Sequence, residues 1–100
     1  NVVSAYEALV KVANDAKIPL IASDTGSVER GAIAALGVNY FNLGKQTGDK
    51  VVRILKGEKP GDIASSTSEN LELFVNPGAA AKQGLTLDDA FIKSATTIVE

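Results

Sequence analysis

Neither cysteine nor histidine occurs among the 100 residues of this chain. Without cysteine there can be no disulfide, no thiolate catalysis and no cysteine-based zinc site. Without histidine the commonest general base and metal ligand is missing as well. Asp, Glu and Lys could still serve an enzyme, but the usual catalytic equipment is absent. No apolar run approaches the roughly 20 residues that a membrane-spanning helix needs. An excess of basic charge is lacking too: 10 Lys and Arg face 12 Asp and Glu, for a formal net charge of −2. With a pI near 5.1 and no basic patch, nucleic acid is not expected as a partner. Neither a starting Met nor a secretory-leader pattern precedes Asn1, so the chain is expected to be a piece of a longer protein.

What is present is apolar. Hydrophobic residues make up 45% of the chain and the mean hydropathy is +0.10, as in a globular domain rather than a disordered one. The length allows one modest domain or part of a larger one.

Ser4-Ala5-Tyr6-Glu7 has the pattern of a capping box, in which the Ser4 hydroxyl caps the helix and Glu7 reaches back. Ala5, Leu9, Val12, Ala13 and Ala16 follow at helical spacing and predict one apolar face. Pro19 then enforces an extended approach to Leu20-Ile21-Ala22. That short apolar run reads as a strand buried on both faces. It ends abruptly in Ser23-Asp24-Thr25. Ser27 is placed to cap a helical turn over Val28, Glu29 and Arg30 before Gly31. A second strand is predicted from about Ala32 to Val38, ending at Asn39. A long helix follows from about Asn42 to Lys56, closed by Gly57 and Pro60. Leu43, Thr47, Val51, Ile54 and Leu55 would form its apolar side. Residues 57–70 read as a surface connection and Leu71–Val75 as a third, outer strand. Asn76-Pro77 opens a short helix closed at Gly84. Thr86-Leu87-Asp88-Asp89 opens another, whose apolar face would use Ala90, Phe91, Ala95 and Ile98. This order predicts an α/β fold, a parallel sheet with flanking helices.

Several motifs are settled by spacing. Gly37 to Lys45 fails as a phosphate-binding loop, because six residues separate its glycines and Gln46 follows the lysine. Gly44 and Gly48 read instead as points of close helix packing. Asp88 and Asp89 are consecutive, so they point in different directions, and both suit a helix N-terminus. Tyr40 and Phe41 read as core or hinge-packing residues. Asp24 has two readings: a cap for the turn at Thr25-Gly26, or a carboxylate that accepts hydrogen bonds from a ligand. Asn39 has the same two. In open α/β sheets ligands bind beyond the carboxyl ends of the strands, and Ser23, Asp24, Thr25 and Asn39 would all stand there.

The chain resembles the substrate-binding proteins of ABC importers, of the type I periplasmic-binding-protein fold with flavodoxin-like lobes, in the branch that includes tryptophan-binding members. The resemblance rests on Val3–Val10, Ile18–Thr25, Gly31–Tyr40, Gly44–Gly48 and Arg53–Pro60, and so covers nearly the whole chain. It implies a carboxy-terminal portion of a two-lobed protein. Residues 1–39 and 71–100 would belong mainly to the second lobe, and the helix within 40–60 to the first. It implies a small ligand, an amino acid and an aromatic one among the options, held by Asn1, Asp24 and Asn39 with Ser23 and Thr25 adjacent. Hinge closure would trap that ligand, with no reaction catalysed and neither cofactor nor metal needed. It further implies an ABC permease as partner, a periplasmic or membrane-anchored extracellular location, and apolar faces covered by the missing lobe or by a second copy of the chain. Two other readings stay open: the ligand-sensing domain of a transcriptional regulator, and a flavodoxin-like enzyme or receiver domain.

Overall fold

The computed structural model describes residues 1–100. They form two compact units: residues 1–37 with 72–100, and residues 38–71.

The first unit is built on a four-stranded sheet in the order β1-β2-β3-β4, from β1 (Ile21–Ala22), β2 (Ala34–Val38), β3 (Leu71–Val75) and β4 (Thr97–Ile98). β1 pairs with β2 in parallel, with Ile21 beside Ala34, and β3 pairs with β4 in parallel, with Phe74 beside Thr97. Asn76, just past the end of β3, donates its backbone N–H to the Ile33 carbonyl, just before β2, at 2.7 Å. β3 therefore runs against β2, and the sheet is two parallel pairs set in opposite directions.

Successive strand residues face opposite sides of a sheet, and the alanines of β2 follow this rule. Ala35 joins Tyr6 and Val10 of α1 (Tyr6–Ala16) and Val28 of α2 (Gly26–Glu29) on one face. Ala34 joins Ile33, Val75, Ala80 of α4 (Pro77–Lys82) and Ile92 of α5 (Asp89–Ser94) on the other. Small alanines at 32, 34 and 35, all buried, let the covering layers approach the middle strands closely.

Several expectations change here. The buried stripe of α1 is Tyr6, Val10 and Ala13, whereas Val12 is 63% exposed. No capping box forms: Ala5 is the N-cap residue, without a side-chain bond, and Glu7 turns instead to Arg30. The helix closes on Lys17 in the left-handed region (φ 55°). The strand carrying Ile21 is not buried on both faces. It lies at the sheet edge, pairs over only two residues, and leaves Ile21 63% exposed. The chain end at 97–98 is a strand rather than a helix face. Its β-branched run Thr96-Thr97-Ile98-Val99 suits a pleated edge better than a helix.

The second unit contains α3 (Tyr40–Leu55), capped by the Asn39 side chain, and a 3₁₀ turn at Pro60–Asp62. Gln46 donates to the Thr67 carbonyl and Lys50 to the Ala64 carbonyl, pinning the 63–70 segment along the helix. Arg53 and Glu58 pair across the helix end, and Gly57 takes φ 105° beyond it. No residue of α3 is buried. Tyr40 and Phe41, expected in packing, are exposed. A side chain at Gly44 or Gly48 would meet nothing within 4 Å, so neither glycine marks a close packing point.

Candidate functional site

The polar turn after β1 is fixed by two contacts, one local and one distant in sequence. Asp24 caps α2 by accepting the backbone N–H and the hydroxyl of Ser27 on one carboxylate oxygen, each at 3.2 Å. Ser27 is therefore inside the helix, and Asp24 takes the capping role expected of the serine. An asparagine would cap as well. The charge and the second oxygen of Asp24 are surplus to that task. The distant contact is Gly37. A Cβ there would lie 3.0 Å from the Thr25 methyl and 3.3 Å from the Ser23 carbonyl. The parallel β1–β2 register thus seats Ser23-Asp24-Thr25 directly on the end of β2, and only a glycine lets the turn come so near. Ser23 and Asp24 are exposed and Thr25 is half-buried.

Asn39, in the second unit, is the cap of α3, its side-chain oxygen accepting the Asn42 N–H at 3.0 Å. Asn1 uses its oxygen in the same way on the Ser4 N–H, at 3.2 Å, and lies apart from the Ser23–Thr25 turn in sequence and in its hydrogen bonding. Asn1, Asp24 and Asn39 each have one side-chain oxygen engaged by a backbone donor three residues on, Asn1 before a turn and the other two before a helix. For Asp24 such a cap fixes the side chain through one oxygen and leaves the other for a further partner.

At the C-terminal end of α2, away from this turn, Arg30 lies over the Tyr6 ring at 5.1 Å and pairs with Glu7, and its hydrogen bond holds the Glu7 carboxyl below the usual range. A cleft of about 300 Å³ bounded by Asn14, Arg30, Gly31, Asn76 and Lys82 opens at the other end of the sheet, where β2 begins. No cluster of three or more acidic side chains could hold a metal ion, and no helix is long and apolar enough to cross a membrane.

Sequence reasoning did not find the supports of the turn. Gly37 carried a signal, as a glycine at a strand end often marks close backbone approach. Gln83 carried none. It is the only buried polar side chain, 1% exposed.

A family model for ABC transporter substrate binding proteins matches residues 1–99. The chain is similar to a tyrosine-binding protein of Clostridioides difficile (strain R20291), 39% identical over an aligned length of 97, with 93% of this chain and 28% of that protein covered. Among solved structures, a conserved domain protein from Vibrio cholerae matches 97% of this chain and 33% of its own, at 40% identity and a TM-score of 0.86. An ABC domain from Streptococcus pneumoniae in complex with L-Trp matches 98% of this chain and 33% of its own, at 28% identity and a TM-score of 0.84. The chain thus spans about a third of the length of these relatives.

Proposed function

The chain belongs to the ABC transporter substrate-binding protein family, and from that premise we propose that it is part of an extracytoplasmic receptor that delivers an aromatic amino acid to an ABC permease. Members of such a family bind and hand over a solute; they do not transform it. The observation that carries the ligand class is the likeness, over 98% of the chain, to a structure holding L-Trp. The tyrosine-binding relative supports the same class.

In this reading the complete protein has two lobes and traps its ligand by hinge closure. Ser23, Asp24 and Thr25 supply polar contacts from one lobe, with Asn39 and Asn1 as further contacts of the same reading. An amino acid offers an ammonium group, which the free oxygen of Asp24 suits, and a carboxylate, which hydroxyl and carboxamide donors suit. A ligand that touches both lobes favours the closed arrangement by its additional contacts there. The exposed apolar residues of α3 would be covered by the remainder of the protein.

Titration calorimetry on the full-length protein tests this, with L-tryptophan and L-tyrosine as ligands and L-glutamate as a control. Saturable binding of either aromatic, with none of glutamate, is expected. Failure of both aromatics to bind overturns the ligand class.

A further inference from the structure

We propose that Gln83 is a positioning residue for the Ser23–Thr25 turn, an inference that rests on the ligand-binding role given to that turn above.

Gln83 ends α4, far in sequence from the turn, yet its carboxamide lies within the core. Its oxygen accepts the Leu20 N–H at 2.8 Å, and its nitrogen donates to the Gly31 carbonyl at 2.9 Å. Leu20 is the residue before β1, and its own carbonyl accepts the Ile33 N–H at 2.8 Å. The side-chain amide therefore bridges the Leu20 N–H and the Gly31 carbonyl, the two groups that the next bond of the parallel β1–β2 ladder would join directly. Both amide groups are satisfied, and a buried polar side chain so paired holds a single geometry.

β1 needs this support. It is an edge strand with only two residues in the ladder, and edge pairing over so short a length fixes register weakly. The turn bearing Asp24 starts at the next residue. Lys17 reinforces the same place by donating from its ammonium to the Lys82 carbonyl at 2.8 Å. With α4 tied to Leu20, the strand is held along its axis and Thr25 stays seated on Gly37. A shift of β1 along the sheet would move Asp24 with it, and ligand contacts at a strand end tolerate little displacement.

The test uses the full-length protein with L-tryptophan and L-tyrosine as probes. Gln83→Met keeps the volume and loses both hydrogen bonds; Val75→Ala removes a buried core group (Val75 is 0% exposed) that has no link to β1. If Gln83 positions the turn, Gln83→Met weakens binding at least about fivefold, while Val75→Ala binds within about twofold of wild type although it too is less stable. Equal losses in the two variants, or none in Gln83→Met, overturn the proposal. Gln83→Glu gives a second reading should the methionine variant not fold. The neutral acid can make both bonds and the carboxylate only one, so affinity should fall as pH rises, beyond any change in wild type. A pH profile parallel to that of wild type overturns the proposal. Asp24→Ala separates this from the underlying reading: full binding by that variant removes the role of the turn itself, and the positioning role with it.

Discussion

Ser27 gives both its backbone N–H and its hydroxyl to a single oxygen of Asp24. The carboxylate is thereby committed to the helix through one oxygen and held in a fixed orientation through both bonds. Its structural and proposed ligand roles fall on different atoms, so they can be separated by substitution.

Asp24→Asn retains the cap, and its stability to urea should match wild type within a few tenths of a kcal/mol. Asp24→Ala loses the cap and should be destabilised by about 1 kcal/mol. Both variants lose the charge, and calorimetry should find L-tryptophan or L-tyrosine binding weakened by more than about tenfold in each. An asparagine variant that binds as wild type would leave Asp24 as a cap alone.

Gly37→Ala places a methyl group 3.0 Å from the Thr25 methyl and 3.3 Å from the Ser23 carbonyl. The turn must move by a few tenths of an ångström. The variant should fold, with a cost of about 1 kcal/mol from overpacking, and bind ligand several-fold more weakly. Gly37→Val should weaken binding further. Amide chemical shifts at residues 23–27 will report whether the turn has moved.

Tyr6 is 5% exposed, and its hydroxyl is shut off from solvent with no hydrogen-bond partner. An orphaned buried hydroxyl opposes folding, by about 1–3 kcal/mol where no relaxation occurs. Tyr6→Phe should therefore be as stable as wild type or more stable, by up to about 1 kcal/mol in urea unfolding. Tyr6→Ala should lose about 3–5 kcal/mol by leaving a cavity against Val28 and Ala35.

Glu7 and Glu58 titrate low because each accepts a hydrogen bond from an arginine, Arg30 and Arg53 respectively. A carboxyl whose folded pKa is depressed adds stability above its unfolded pKa and loses it as pH falls through the folded value. These two pairs should thus support the fold at neutral pH and cease to do so in acid. Carboxyl NMR titration should find both glutamates protonating below the ordinary glutamate range. Arg30→Gln should raise the Glu7 carboxyl toward the ordinary range, with its backbone hydrogen bond still lowering it, and leave Glu58 unchanged.

Much of the local architecture was legible in the sequence. Asn76, read as a cap, accepts from Ala79, and Asp88, read as part of a helix N-terminus, accepts from Phe91, whereas α3 begins at Tyr40 behind the Asn39 cap rather than at about Asn42. Pro77 sits in the first turn, and Gly84 adopts φ 76° past the next helix end. The third strand has the expected bounds of Leu71–Val75. The same reasoning failed where a distant residue competed for a local partner. Glu7 has the right spacing for a capping box, but Arg30, 23 residues away, takes it. The apolar approach to Ser23 reads as a buried strand, yet its place at the sheet edge depends on the order of strands, which the run itself does not carry.

The sequence by itself determined the apolar runs, the turns and the helix starts at Asn76 and Asp88, because these depend on contacts within about four residues. It also determined which polar groups stand at strand ends, since an apolar run that stops must stop somewhere definite. Only the tertiary structure decided that Thr25 rests on Gly37, that β3 runs against β2, and that the Gln83 amide is buried beside Leu20, 63 residues away. Those contacts join segments brought together by the topology of the sheet, and no local pattern of residues encodes which segment will arrive.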